Sequence, residues 1–386
     1  MTTSSSQQAD LGIRRVSSLH VFVRDLERSR DHYIRNLDFA LIAKSNLEYE
    51  AEERARACVV QAGGARFVFV EPLGSKGESF RWLQKHPEGV GRIVFDVEDA
   101  ERAFSILLSR GATPVTGLER RRVEGVDVTW FDIATPFGDT LFRFVSHEGD
   151  TPILPNFDRV AASRSADNRF GIREVDHITS NFLTLKPVVS WLRDVLGFQE
   201  LWNIEFHTQD VKKGHFDGSG LKSTVMWDPA SGIKFANNEP AAPSFRTSQI
   251  YLFCEDHRGP GVQHIALTVD NLLDAVKGIR QRNVAFMPTP AAYYDMLPAR
   301  LEGNGIGAIE EGVDALKELG ILVDGNGDGR YLLQIFMREA SGLFGDPQAG
   351  PLFLELIQRK GDNGFGAGNF RALFESIERQ QQMDRG

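Results

Sequence analysis

Two imidazoles and one carboxylate, each set inside an apolar run, are the side chains of this sequence best equipped for chemistry. They are His177 in Val175-Asp-His-Ile-Thr-Ser, His264 in Gly261-Val-Gln-His-Ile-Ala-Leu and Glu355 in Phe353-Leu-Glu-Leu-Ile. Such a set is a complete facial ligand group for Fe(2+), with the other positions of the metal left open to substrate and oxygen. Taken singly, a histidine on an apolar strand is more often a hydrogen-bonded core residue than a ligand. Glu355 resists that explanation, because burying an unpaired carboxylate is expensive. The three together favour a metal.

The elements that must position them are visible as an internal repeat. Ser18-Leu-His-Val-Phe-Val echoes the His177 segment, and each is followed by a helix-like stretch ending in Leu-x-Phe, at Leu37 to Phe39 and Leu196 to Phe198. Gly89-Val-Gly-Arg-Ile-Val-Phe-Asp-Val matches Gly261-Val-Gln-His-Ile-Ala-Leu-Thr-Val. The same register carries through the next helix, from Gly111 in one half to Asn283 in the other. Leu141-Phe-Arg-Phe-Val matches Phe353-Leu-Glu-Leu-Ile. Within the repeats the apolar period changes from two to about 3.6, as strand gives way to helix. Ile93, Phe95 and Val97 share one strand face, and Ala103, Phe104 and Leu107 one helix face; Ile265, Leu267, Val269, Ala275, Val276 and Ile279 repeat the pattern. The expected fold is α+β, two tandem duplicated βαβββ domains with curved mixed sheets, spanning 12–160 and 170–386. The polar stretch from Ala161 to Arg169 divides them. A C-terminal helix is expected after Gly368, with Asn369 as N-cap and Phe370, Leu373, Phe374 and Ile377 on one stripe.

At the places of His177, His264 and Glu355, the first half offers His20, Arg92 and Arg143. Arginine stays protonated and repels cations, so only the second half should hold metal. The remaining histidines, 32, 86, 147, 207, 215 and 257, have polar sequence neighbours and read as surface residues. Asp324-Gly-Asn-Gly-Asp-Gly begins like a calcium loop, but its twelfth position is Ile335 where a bidentate acid is required; a hairpin turn is the better reading. The glycines of Gly364-Phe-Gly-Ala-Gly-Asn suit a lid hinge better than a phosphate cradle.

Bulk properties agree with a globular enzyme and exclude other classes. The net charge is −9, against a nucleic-acid partner, and no apolar run is long enough to span a membrane. Cys58 and Cys254 are isolated, which disfavours a disulfide framework and points to the cytoplasm. The polar start, Met1 to Asp10, reads as a frayed terminus. A homo-oligomer, dimer or tetramer, is the expected assembly.

Several strings resemble the 4-hydroxyphenylpyruvate dioxygenase family of the vicinal-oxygen-chelate superfamily. They are Gly261-Val-Gln-His-Ile-Ala-Leu, Tyr293-Tyr-Asp-Met-Leu, Leu332-Leu-Gln-Ile-Phe, Glu355-Leu-Ile-Gln-Arg-Lys-Gly, Gly364-Phe-Gly-Ala-Gly-Asn-Phe and Leu373-Phe-Glu-Ser-Ile-Glu. The likeness is dense from about residue 170 to 380 and architectural before that. It implies iron(II) on His177, His264 and Glu355. It also implies conversion of 4-hydroxyphenylpyruvate and O2 to homogentisate and CO2, in tyrosine and phenylalanine catabolism. Ser223, Asn238, Gln249, Gln263 and Gln334 match the family's polar substrate contacts, with Asn238, Gln249 and Gln334 assigned to catalysis. Phe336, Phe353 and Phe370 would wall the pocket, and Phe365 with Gly366 would stand at its mouth. From spacing alone the phenylalanines read as core, and Asn238 and Gln249 as a loop cap or sheet-edge contact.

Departures lie near the pocket. Ala236 replaces a usual proline, Lys222 a common asparagine, and the span from Gln334 to Glu355 is long. They bear on product identity, for which 4-hydroxymandelate synthase, with the same ligands and substrate, is the alternative. Retained Asn238 and Phe353 favour attack on the ring. A metal-free small-molecule binding protein would need the ligands lost, and a glyoxalase-type isomerase or lyase would use four of them. The repeat comparison makes its own prediction: His264→Ala loses iron, whereas Arg92→Ala keeps it. Metal analysis of the two folded variants decides it, and loss of metal from folded Arg92→Ala would contradict the comparison.

Overall fold

The computed structural model describes residues 10–149, 154–160, 167–207, 220–242, 245–325, 327–366 and 369, with 206 and 207 described by their backbone alone. Asn369 is buried. The stripe expected beyond it, Phe370 included, lies outside the described residues, as does His215.

Among the described residues, nine strands form the first sheet: β1 (Ile13–Phe22), β2 (Ala40–Ser45), β3 (Ala55–Ala62), β4 (Ala65–Pro72), β5 (Gly89–Val97), β6 (Glu119–Val123), β7 (Val126–Ile133), β8 (Leu141–His147) and β9 (Phe157–Arg159), in the order β6-β7-β8-β5-β1-β4-β3-β2-β9. Eight form the second: β10 (Ile172–Asn181), β11 (Gln199–His207), β12 (Gly220–Trp227), β13 (Lys234–Pro240), β14 (Gly261–Val269), β15 (Leu322–Asp324), β16 (Tyr331–Phe336) and β17 (Phe353–Lys360), ordered β11-β12-β13-β10-β14-β17-β16-β15. Apart from β9, the second order is the first read backwards. Each curled sheet is a pair of βαβββ units. The first and last strands of each unit pair parallel, β1 with β4 and β5 with β8 in the first sheet, β10 with β13 and β14 with β17 in the second. Antiparallel pairing of β1 with β5, and of β10 with β14, joins the two units of each half.

Local chemistry accounts for the crossovers. The helix Ala100–Ser109 starts where Asp99 accepts from the amides of Glu101 and Arg102, and Leu272–Arg280 starts where Asn271 accepts from Asp274. Each cap satisfies backbone donors that the first turn leaves free. Both helices bury the expected stripe, though Phe104 is only partly covered. Among the described residues no helix is long and apolar enough to cross a membrane. Strands β15 and β16 pair antiparallel across the Gly-rich segment, so the calcium-like string serves a hairpin.

Register corrects one pairing of the repeat. His20 faces Arg92 across β1 and β5, whereas the residue facing His264 across β10 and β14 is Thr179. Ser18, opposite Val94, therefore stands where His177, opposite Ala266, stands. A slip of two leaves every side chain on its original face, so alternation could not reveal it.

The histidine reading also needs correction. His86 and His257 are buried at the seam between the halves, stacked with ring centroids 4.7 Å apart. Nδ1 of His86 donates to the His257 carbonyl at 2.8 Å, and its Nε2 lies 2.8 Å from Asp139. The side chain of His147 is buried beside Asp96, and His32 is largely enclosed, with its pKa lowered by burial to about 4. His207 lies on β11 but only its backbone is described. Polar neighbours in sequence are a poor guide here because groups distant in the chain, such as Asp96 on His147 and His257 on His86, cover these rings.

The two halves share one core. Phe95, Phe137 and Phe142 of the first half contact Phe235 of the second, and Phe137 packs edge-on against Phe182. At one end, Gly63, with φ of +53°, turns the β3–β4 hairpin against β10, and Gly64 donates to the Arg173 carbonyl. A Cβ on Gly63 would overlap the Ile172 and Arg173 carbonyl oxygens. Gly63→Ala should cost about 2–4 kcal/mol, from left-handed strain plus overpacking, while Gly117→Ala, with nothing within 4 Å of the added carbon, should stay within about 0.5 kcal/mol. Denaturant unfolding measures both, and equal small effects would contradict this account.

Candidate metal centre

His177, His264 and Glu355 come from three adjacent strands, β10, β14 and β17, and are buried with 6%, 3% and 1% of their surface exposed. One ligating atom from each lies within 4.8 Å of the others. Glu355 Oε2 is 3.4 Å from His177 Nε2 and 3.3 Å from His264 Nε2. Donors about 2.1 Å from a cation and at right angles to one another stand roughly 3 Å apart, so this is the spacing of adjacent ligands on one face. Glu355 Oε1 is buried and has no hydrogen-bond partner among the described residues. A buried carboxylate left so incomplete fits a site built for a cation.

Two bulges give the imidazoles their orientation. Val175 pairs with Leu267 and His177 with Ala266, so Asp176 is an extra residue on β10; Gln263 is the extra residue on β14 between His264 and Val262. Neighbours on a regular strand point to opposite faces, and a bulge re-aims one of them. Asp176 Oδ1 thus accepts from His177 Nδ1 at 2.8 Å, and Gln263 Oε1 from His264 Nδ1 at 3.1 Å. With Nδ1 protonated, each Nε2 keeps a lone pair for a metal. Arg359 holds Asp176 through two bonds of 2.6 Å. Burial would raise the Asp176 pKa, but Arg359 and His177 hold it far below the usual carboxylate range.

The first half keeps the bulges and loses the chemistry. Ser17 and Gly91 are the extra residues at the equivalent points, and neither can fix an imidazole as Asp176 and Gln263 do. Arg143 pairs bidentately with Asp132 at 2.7 Å, and Arg92 bonds Glu78 at 2.6 Å. Asp132 faces Arg143 in the register where Phe336 faces Glu355.

Electrostatics of the triad follow from burial and mutual contact. Burial lowers the His264 pKa despite the nearby carboxylate. For His177, burial works downward too, but Glu355 and Asp176 outweigh it and hold the pKa up. Burial favours protonated Glu355, yet the His177 and His264 contacts keep its pKa below the ordinary value.

The described residues of the expected pocket gather around the same inner face. Phe353 stacks on His264 with centroids 4.8 Å apart, Phe336 meets that ring edge-on at 5.9 Å, and Phe365 meets His177 at 4.9 Å. Ser223, Asn238 and Asn181 stand opposite one another across β12, β13 and β10. Asn238 Nδ2 donates to Asn181 Oδ1 at 3.0 Å, while Asn238 Oδ1 and Ser223 Oγ are buried without partners among the described residues. Gln249 is buried at the start of the helix Gln249–Asp256, whose Ile250 packs with Phe365. Gln334 Oε1 accepts from Asn369 Nδ2 at 3.3 Å. Tyr293 Oη donates to Asn369 Oδ1 at 2.7 Å, and Arg300 Nη2 donates in turn to Tyr293 Oη. Gly366 lies so close to the Gln334 amide that a Cβ there would collide with it.

Sequence reasoning passed over Asp176, Arg359, Asn181, Tyr293 and Arg300. Only the adjacency of Asp176 to His177, and the four-residue step from Glu355 to Arg359 along one strand face, could have pointed to the first two.

A family model described as the Glyoxalase/Bleomycin resistance protein/Dioxygenase superfamily matches residues 15–141 and 174–296. A 4-hydroxyphenylpyruvate dioxygenase of Dictyostelium discoideum is 34% identical over 358 residues, covering 91% of this chain and 94% of its own. One from Coccidioides posadasii (strain C735) is 30% identical and covers 99% and 97%. A solved triple mutant of 4-hydroxymandelate synthase from Streptomyces coelicolor superposes with a TM-score of 0.80 at 24% identity, over 96% of this chain and 99% of that one; at this identity the likeness is one of fold.

Asp176→Asn keeps the shape of the side chain but removes its charge against Arg359. Metal affinity should fall about 10–100-fold, read by competition with a chelator on protein of unchanged melting temperature. Unchanged affinity would mean that the Asp176–Arg359 pair serves the fold alone.

Proposed function

This chain belongs to the 4-hydroxyphenylpyruvate dioxygenase family of the glyoxalase/bleomycin resistance protein/dioxygenase superfamily, and from that premise we propose that His177, His264 and Glu355 hold iron(II) as its cofactor. The reaction is the conversion of 4-hydroxyphenylpyruvate and O2 to homogentisate and CO2, in tyrosine catabolism. The observation that carries the assignment to these side chains is the buried triad, with ligating atoms within 4.8 Å and both Nδ1 atoms already engaged. Iron(II), when bound, supplies the activation of oxygen and a chelation point for the carboxylate and keto oxygens of a 2-oxo acid.

The chain's own residues then have positioning work. Asp176 and Gln263 hold the imidazoles in the tautomer and angle that ligation needs. Phe336 and Phe353 form apolar walls that hold the substrate ring and exclude water. Ser223 Oγ and Asn238 Oδ1, buried and unpartnered among the described residues, supply polar contacts for the substrate, joined by Gln249, Gln263 and Gln334. Asn238, Gln249 and Gln334 orient the reacting arm. Through Asn369, Tyr293 and Arg300 clamp Gln334, so Asn369 sets its amide. Phe365 closes the mouth in this reading.

We assign 12–160 to a metal-free domain and 170–386 to the catalytic one, in a cytoplasmic homo-oligomer. Ferrous-reconstituted protein given 4-hydroxyphenylpyruvate and oxygen should yield homogentisate, identified by chromatography and mass, with carbon dioxide released in equal amount. Hydroxymandelate as product would replace ring attack with benzylic hydroxylation. No oxygen uptake with this substrate or with phenylpyruvate would overturn both.

A further inference from the structure

The first half keeps a polar cavity where the second keeps its ligands. It has a volume of about 440 Å³, inside the roughly 300–1,000 Å³ range of small-molecule sites. Tyr49, Trp130, Leu141 and Phe157 give it apolar walls, and His20 and Arg92 also line it.

Its charged groups are mostly spoken for. Arg143 holds Asp132, Arg92 holds Glu78, Arg121 holds Glu52 and Lys85 holds Asp139. Burial raises the Glu53 pKa despite Arg92 and Arg143. What remains unused is rich in donors. Both ring nitrogens of His20, Nε of Arg92 and the indole nitrogen of Trp82 are buried with no hydrogen-bond partner among the described residues. His20 is 3% exposed and Arg92 8%. Leaving such groups unsatisfied is costly, and native proteins rarely do so without a ligand, water or ion to complete them. Three N–H donors against a single imidazole acceptor call for a group that accepts. Arg92 and Arg143 also act on His20 as positive charge, which together with burial keeps the imidazole neutral.

We propose that this cavity is a second binding site, for a small organic carboxylate with an aryl or apolar body. The carboxylate takes the Arg92 Nε–H and the His20 N–H, and the body lies among Tyr49, Trp130, Leu141 and Phe157. The site owes nothing to the metal centre, whose ligands lie on the other sheet.

Calorimetric titration of the full-length chain with benzoate tests this, with acetate and benzylamine run beside it and tryptophan fluorescence as a second readout. Benzoate should saturate one site and bind at least about tenfold more tightly than acetate, which lacks a body to bury. His20→Leu and Arg92→Gln should each weaken it about tenfold or more, while His264→Ala leaves it within about twofold. Should Arg92→Gln fail to fold, as its melting curve would show, Val115→Trp at the exposed wall of the cavity should block benzoate instead. Three results overturn the proposal: benzoate binding that disappears in His264→Ala but survives His20→Leu, benzylamine binding more tightly than benzoate, or no saturable benzoate binding at about 10 mM.

Discussion

Glu355 is a carboxylate enclosed in the strand layer, with two imidazoles against one oxygen and the other oxygen without a partner among the described residues. A group of this kind is costly to bury unless something compensates its charge. Much of the second half supplies the conditions for that compensation. Parallel pairing of β14 with β17 sets His264 beside Phe353 and Ala266 beside Glu355. The bulge at Asp176 and its bond to Arg359 keep His177 turned toward the same point. Aromatic rings from β16, β17 and the segment before Gly366 then close the space around the imidazoles.

The first half shows what the same backbone does when that constraint is lifted. Strand order, parallel pairs and both bulges persist, yet the ligand positions carry Ser18, Arg92 and Arg143. Asp132, at the place of Phe336, turns Arg143 into a neutral pair, and Arg92 and Arg143 hold the Asp132 pKa at about 2 although burial works against it. Fold and chemistry are therefore separable here, because the pairing of strands depends on backbone bonds and the apolar side of each strand. Contacts such as Phe95 and Phe142 on Phe235 give the two halves a common core despite their different chemistry.

Much of this was open to a reader of the chain. Alternation in Gly89–Val97 and Gly261–Val269 marked the central strands, and the shared register of the following helices marked the duplication. The apolar setting of Glu355 singled out a carboxylate that needed a partner. Resemblance then joined the aromatic and amide residues to one pocket, and Phe336, Phe353 and Phe365 do line up against the two imidazoles.

The sequence by itself determined which residues alternate into the interior, that the chain is built twice, and that two histidines and a glutamate lie in buried strands. Those are consequences of local period and of the cost of burying charge, which act residue by residue. Tertiary structure alone decided the bulges that let Asp176 and Gln263 reach the histidines beside them, since a period of two sends neighbours to opposite faces. It alone revealed that Ser18 rather than His20 corresponds to His177, because a slip of two preserves the face. It alone buried His86 and His257, which stack on each other across the seam between the halves.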